Sequence, residues 1–201
     1  GCSIAGGADR LCTIGDYCSL SSGVKIWCTS NDFVNDLVAI IPGAAGIKTT
    51  SITGDVTPIT VAERQGLVGK AQDLMERQGL QALLLEPGAA MFYFTGIEWR
   101  RSERLTAVVI PVAGDIAVVT PYFEEPSVRE SMAVGQDVRT WYEHENPFEG
   151  VAGILKDRGL KDGKLGMEET VRHFVSSGVR AAAPAFEVVS GHLVTLGCRM
   201  Y

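Results

Sequence analysis

Carboxylates and histidines are the residues of this sequence that could bind a metal ion or carry a proton. The chain contains three histidines, His144, His173 and His192. Its acidic clusters are Glu124-Glu125, Glu143-His144-Glu145 and Glu168-Glu169. Oxygen and imidazole ligands suit divalent cations, but adjacent carboxylates point to opposite faces of a strand and lie about 100° apart on a helix. We therefore expect solvated clusters, and we predict neither metal ligands nor catalytic residues in this chain.

Cysteine and serine nucleophiles lack the partners that covalent catalysis needs. Four of the five cysteines precede residue 30, no two of them form a C-x-x-C motif, and no histidine occurs before His144. The sequence has no G-x-S-x-G elbow, and its glycine-rich stretches lack the lysine and hydroxyl residue of a phosphate-binding loop. We therefore predict free thiols, and we expect neither nucleophilic catalysis nor nucleotide binding.

Composition and charge exclude two further classes of protein. The formal net charge is -6, so the chain offers no basic surface for nucleic acid. No apolar run approaches the roughly 18 residues that would span a bilayer, and the N-terminus has no features of a secretory signal. We expect a cytoplasmic protein that binds neither nucleic acid nor membrane.

The first 56 residues differ in composition from the rest of the chain. They contain no Glu, Gln or His, and they are rich in Gly, Ser and Thr, which predicts strands and turns. Ile14, Leu20 and Ile26 recur at six-residue spacing, which resembles the hexapeptide repeat of left-handed β-helix acyltransferases. This segment has no histidine to act as a base, and about three stacked units are needed to close such a core. We predict a β-rich, partial β-helix-like segment at 1–56, and an acyltransferase fragment is an alternative function.

From residue 57 the pattern predicts helices that alternate with strands. Thr60 and Glu63 form a T-x-x-E capping box, and Gly79 ends the helix that begins there. The predicted helices are 61–78, 124–132, 147–158 and 171–182, and the predicted strands are 82–85, 105–112, 116–120, 137–141, 164–168 and 186–189. Strands separated by helices indicate an α/β fold, with a mixed sheet flanked by helices and a hairpin as its antiparallel part.

The first of these helices has a regular apolar face. Leu67, Ala71, Leu74 and Met75 recur at helical spacing. We assign charged residues, among them Arg64, to other positions on the helical wheel.

Several short motifs, in this order, are similar to the opening of creatinase, prolidase and aminopeptidase P chains. They are Gln81-Ala82-Leu83-Leu84-Leu85, Phe92-Tyr93-Phe94-Thr95-Gly96, Gly166-Met167-Glu168-Glu169 and Cys198-Arg199-Met200. The second of them matches the Y-[FL]-[ST]-G element that follows the first strand in that family. The resemblance covers residues 57–201 and implies a creatinase N-terminal-like domain.

The resemblance also implies that catalysis belongs to a second domain. Enzymes of this family hydrolyse Xaa-Pro bonds or C–N bonds of small molecules with a pair of divalent metal ions, held in a second domain. That domain is expected to begin after Met200, whereas the chain ends at Tyr201. We therefore expect a non-catalytic N-terminal domain of an Xaa-Pro peptidase-like metallohydrolase that holds no cofactor itself. It would serve in a homo-oligomer, where it would cap the peptide substrate in a neighbouring subunit's cleft.

The same resemblance implies the capping residues Tyr93, Trp99 and Arg104. Trp99 lies among charged neighbours, so partial exposure of its ring is expected. Such a ring could pack on a prolyl side chain, and Arg104 could hold a peptide carboxylate. In the simpler interpretation, Trp99 packs on its own domain and the arginines are solvated. A free-standing module that binds small peptides through 93–104 is a further alternative.

Overall fold

The computed structural model describes residues 58–199. The strands are β1 (Leu80–Leu85), β2 (Ala107–Pro111), β3 (Ala117–Pro121), β4 (Asp137–Trp141), β5 (Gly163–Met167) and β6 (Phe186–Ser190). The helices are α1 (Val61–Gln78), α2 (Ala89–Thr95), α3 (Glu125–Ser131), α4 (Pro147–Asp157), α5 (His173–Ala182) and α6 (His192–Arg199). A 3-10 turn at Tyr122–Glu124 joins β3 to α3. The segment 1–56 and the boundary predicted near residue 57 lie outside the described residues.

The strands form one six-stranded sheet with the order β4-β3-β2-β1-β5-β6. Strand β1 is parallel to β5, β5 to β6 and β3 to β4, whereas β2 is antiparallel to β1 and β3. The predicted mixed sheet flanked by helices is therefore confirmed. This architecture opposes the acyltransferase alternative for residues 58–199. Within this range, no helix is long and apolar enough to cross a membrane.

Helix α1 begins and ends where the sequence predicts. The Thr60 hydroxyl accepts a hydrogen bond from the Glu63 amide at 3.2 Å, and the Glu63 carboxylate accepts one from the Thr60 amide at 2.7 Å. Gly79 ends the helix in the left-handed conformation, with φ of 69°. A glycine adopts this conformation without the steric cost that a Cβ atom imposes.

Arg64 lies on the buried face of α1, so its assignment to another part of the helical wheel than the apolar residues is wrong. The buried residues of this helix are Arg64, Val68, Ala71 and Met75. The Arg64 guanidinium donates to the carbonyls of Phe92 and Tyr93, the second at 2.6 Å. The last carbonyls of a helix have no partner within the helix, and a buried guanidinium needs acceptors. The bonds between Arg64 and the end of α2 therefore meet both requirements.

Separate hydrophobic cores cover the two faces of the sheet. Residues such as Leu83 and Val108 pack with α1, α2, α3 and α6. Their neighbours in sequence, such as Leu84 and Val109, pack with α4 and α5 on the other face. Because successive strand residues point to opposite faces, continuous apolar strands indicate this three-layer arrangement.

Two short helices, α2 and α6, were not predicted from the sequence. Helix α2 has no side-chain cap at Gly88 and contains three consecutive aromatic residues, which favour strands. Helix α6 has only eight residues. Both are stabilised by tertiary packing, since Met91, Phe94 and Val194 are fully buried in the same core.

The backbone of Gly191 lies too close to the sheet for a larger residue. A Cβ atom there would be 2.4 Å from Leu83 Cδ1 and 3.2 Å from the Met167 amide nitrogen. We expect Gly191→Ala to lower the free energy of unfolding by about 1–3 kcal/mol, as measured by urea denaturation. Gly66→Ala on α1 is the matched control, because its Cβ meets nothing within 4 Å, and it should be neutral or stabilising. Equal stability of the two variants would contradict the prediction.

Candidate functional site

Polar and aromatic side chains gather at the carboxyl edge of the sheet. Five of the six strands run in the same direction, so they all end at this edge. Strand β2 runs the opposite way, so the loop 96–106 that leads into it also lies there. Ligands of open α/β sheets bind outside the carboxyl ends of the strands, which makes this edge the candidate site.

A buried ion pair joins three parts of this edge. Glu86 follows β1, and its side chain is only 1% exposed. Arg172, which precedes α5, donates to it from Nε at 2.9 Å, from Nη2 at 2.7 Å and from its amide at 2.9 Å. The same guanidinium donates to the Ser102 carbonyl in the loop 96–106. A buried carboxylate requires such partners, so the pair fixes the loop to the ends of β1 and β5.

Two further hydrogen-bonding residues hold the loop 96–106. Arg101 donates to the Pro87 carbonyl and to the Thr170 hydroxyl, both at 3.1 Å. The indole of Trp141 donates to the Leu105 carbonyl at 3.0 Å. The loop is thus bonded at three successive places along its length.

Exposed aromatic rings lie where β3 and β4 end. Tyr122 and Tyr142 stack with ring centroids 4.8 Å apart, and His144 stacks on Tyr142 at 5.9 Å. We call these three residues the ring ladder. Tyr122 is 52% exposed and Tyr142 46%, and the neighbouring Phe123 is 60% exposed. Adjacent exposed aromatic rings are typical of surfaces that bind a partner or ligand.

Carboxylates surround the ring ladder, and each is held in place. Glu143 accepts from Arg104 Nε at 2.5 Å, and Glu103 pairs with the same guanidinium, which lies over the Phe123 ring at 5.3 Å. Glu145 accepts from the Tyr142 amide at 2.8 Å. The fourth carboxylate, that of Glu124, accepts from the hydroxyls of Thr106, just before β2, and of Thr120 in β3. Bonding to Glu143 raises the pKa of Arg104 above its ordinary value.

Glu168 and Glu169, at the end of β5, lie in different environments. Burial raises the pKa of the Glu168 carboxyl above its ordinary value. A hydrogen bond of 2.6 Å from the Ser190 hydroxyl lowers the pKa of Glu169. His192 Nδ1 lies 3.4 Å from Glu169. In a nucleophilic triad the histidine lies between the serine and the carboxylate. Here the carboxylate of Glu169 lies between the serine and the histidine, so the three residues do not form a triad.

The Creatinase/Prolidase N-terminal domain family matches residues 68–201, which is more than half of the chain. The chain belongs to this family. It is 37% identical over 79 residues to the probable dipeptidase PepE of Mycobacterium tuberculosis. This match covers 38% of the present chain and 21% of that protein. The chain therefore spans about a fifth of the length of the curated relatives that it matches.

Solved structures share the fold of this creatinase/prolidase N-terminal domain. The dipeptidase PepE from Mycobacterium ulcerans matches with 26% identity and a TM-score of 0.62, over 70% of this chain and 37% of that one. The N-terminal domain of an Xaa-Pro dipeptidase from Lactobacillus brevis matches with 19% identity and a TM-score of 0.56, over 66% of this chain and 98% of that one. Both of these proteins are dipeptidases, and the match covers nearly the whole of the second structure, which is an isolated N-terminal domain.

The three predicted capping residues lie in two places. Tyr93 is half-buried on α2, and its hydroxyl donates to the Cys198 carbonyl at 3.2 Å. Trp99 is also half-buried and packs against the same core as Tyr93. Arg104 lies instead beside the ring ladder, with its two glutamates. Their role in substrate capping stays a prediction.

The residues described here do not fit a pair of metal ions. Within 58–199, no group of three or more His, Cys, Asp or Glu side chains could hold one. The acidic clusters bond instead to hydroxyls, amides and guanidinium groups of the same domain. That the metal pair belongs to another domain stays a prediction.

Sequence reasoning missed Glu86, Arg172 and the ring ladder. Arg172 precedes a helix as one charged residue among many, so nothing in the sequence pairs it with Glu86, 86 positions away. The aromatic rings did leave a signal. Tyr122-Phe123 and Tyr142 come directly after strands β3 and β4, where a side chain has left the core and reaches the carboxyl edge.

Substitution of the buried Glu86 should weaken the attachment of the loop 96–106 to the sheet. We expect Glu86→Gln to lower the free energy of unfolding by about 2 kcal/mol, because it leaves Arg172 with a weaker partner. Urea denaturation measures this change, and protease cleavage within 96–106 should become faster. Glu130→Gln, on the exposed surface of α3, is the control and should change the free energy by less than about 0.5 kcal/mol. Equal effects of both substitutions would count against an anchoring role.

The two adjacent glutamates should give opposite pH dependence. The raised pKa of Glu168 means that the folded state binds its proton more tightly, so its contribution to stability falls as pH rises through that pKa. We expect Glu168→Gln to stabilise the protein most at neutral pH and less in acid. Glu169 has a lowered pKa, so Glu169→Gln should destabilise most at neutral pH. Urea denaturation of both variants across acidic and neutral pH tests the opposite signs, and a shared sign would refute this assignment.

Proposed function

We propose that this chain acts as the non-catalytic N-terminal domain of an Xaa-Pro dipeptidase-like metallohydrolase. In this role it contributes to an oligomer and caps the substrate cleft of a neighbouring subunit through the loop 96–106. The observation that carries the proposal is the anchored loop at the carboxyl edge, in a domain whose family and relatives are those of dipeptidases.

The anchoring of the loop supports a capping role. The Ser102 carbonyl and the Arg101 side chain are bonded to the ends of β1 and β5, so the intervening backbone does not have to be ordered when a substrate binds. A loop that is ordered in advance avoids part of the entropy cost of binding. Trp99 and Arg104 flank these anchors and would be presented in fixed positions.

The chemistry of the two side chains supports a peptide as the capped group. The half-buried Trp99 offers an apolar surface for a prolyl ring. The Arg104 guanidinium is held by Glu143, which is 61% exposed. Exposed ion pairs contribute little, so a substrate carboxylate could replace Glu143 as its partner.

The proposal leaves hydrolysis to residues outside 58–199. Two metal ions would supply a hydroxide nucleophile and polarise the scissile carbonyl, and the described residues do not fit them. The part of this domain would be to orient the peptide and exclude water from the cleft.

A chimeric enzyme tests this function. Residues 58–199 would replace the matched domain of the M. ulcerans dipeptidase, and kcat/KM for an Xaa-Pro dipeptide would be measured with added manganese. We expect Trp99→Ala and Arg104→Ala to lower kcat/KM by about tenfold each, since lost substrate contacts raise the barrier. Arg129→Ala is the matched control, because Arg129 forms an exposed ion pair on α3.

Three outcomes would contradict the proposal. They are a kcat/KM unaffected by both loop substitutions, an inactive chimera that is nevertheless folded by circular dichroism, and metal-dependent hydrolysis by the unmodified 201-residue chain alone. The first would remove the capping role, and the last would remove the non-catalytic one.

A further inference from the structure

We propose that the ring ladder is a docking surface for a cationic side chain, guanidinium or ammonium, of a partner peptide. This proposal goes beyond the capping role, because the side chains that would contact the cation are Tyr122, Tyr142 and His144 after β3 and β4. The loop 96–106 contributes only Glu103 and Arg104 to the surrounding charge.

Hydrogen bonds within the chain close the turns that carry the rings of the ladder. The Tyr142 amide donates to the Glu145 carboxylate, and the Glu145 amide donates to the Tyr142 carbonyl, both at 2.8 Å. This reciprocal pair closes the turn that carries Tyr142 and His144. Tyr122 begins a 3-10 turn directly after β3. Rigid aromatic side chains on short turns offer contact area at little entropic cost.

The charges around the rings select a cation. Glu103, Glu124, Glu143 and Glu145 supply four carboxylates, and Arg104 supplies one guanidinium that already binds two of them. The negative faces of aromatic rings also attract cations. An anion would meet this negative potential, and a second copy of the same surface would bring like charges together. A purely apolar partner would have to desolvate the carboxylates.

The domain already contains one example of the proposed contact. The Arg104 guanidinium lies over the Phe123 ring at 5.3 Å and bonds to Glu103 and Glu143. An aromatic face and adjoining carboxylates thus bind a guanidinium within the same chain. The ring ladder repeats these components a few residues away, with rings that are about half exposed.

Titration of the full chain with short blocked peptides tests the proposal. The probe is Gly-Arg-Gly, and Gly-citrulline-Gly, which has nearly the same shape without the charge, is its control. Binding is followed by nuclear magnetic resonance of the amides of 122–124 and 142–145. We expect saturable shifts with the arginine peptide and a dissociation constant about two- to fivefold lower than that of the citrulline peptide. High salt should weaken binding of the arginine peptide, because it screens the charges.

Variants of the chain locate the binding. Tyr142→Ala and Tyr122→Ala should each weaken binding of the arginine peptide about two- to fivefold. Phe92→Ala, which removes an exposed ring from α2, should leave it unchanged. Two aromatic variants are compared so that misfolding of one, visible in its spectrum, does not decide the result.

Three results would overturn the proposal. Equal affinity for arginine and citrulline peptides would mean an apolar occupant. Wild-type affinity in both tyrosine variants would place the cation elsewhere. Self-association of the chain that is lost in Tyr142→Ala would identify a second copy as the occupant.

Discussion

The pairing of Glu86 with Arg172 is the interaction on which the carboxyl edge depends. A carboxylate that is 1% exposed needs hydrogen-bond partners inside the protein, and Arg172 supplies both its guanidinium and its backbone amide. The third nitrogen of the guanidinium, Nη1, donates to the Ser102 carbonyl. This one ion pair therefore joins the residue after β1, the residue before α5 and the loop between α2 and β2.

The aromatic and acidic half of the edge is built differently. There the side chains are exposed, and the order comes from short turns that are closed by their own hydrogen bonds. Loss of one ring from such a surface does not open a cavity in the core. Substitutions on this half of the edge should therefore have little effect on stability, whereas the half around Glu86 depends on a buried ion pair.

The sequence predicts the architecture of this domain better than it predicts the site. Continuous apolar strands, the Thr60 capping box and Gly79 are local signals, and the structure has the strands and the helix that they indicate. Arg64 and Glu86 are different, because each is buried through partners that are distant in sequence. Helix α2 owes its conformation to tertiary packing, which overrides the strand preference of its aromatic residues.

The single reversed strand has a consequence for how this edge can vary. Strand β2 is held by β1 and β3 through main-chain pairing, and it receives the chain from the carboxyl edge. Residues can therefore be added to or removed from the loop in front of it without a shift in the register of any strand. Among proteins that keep this sheet, the length of this loop can therefore differ while the apolar pattern that specifies the fold stays the same.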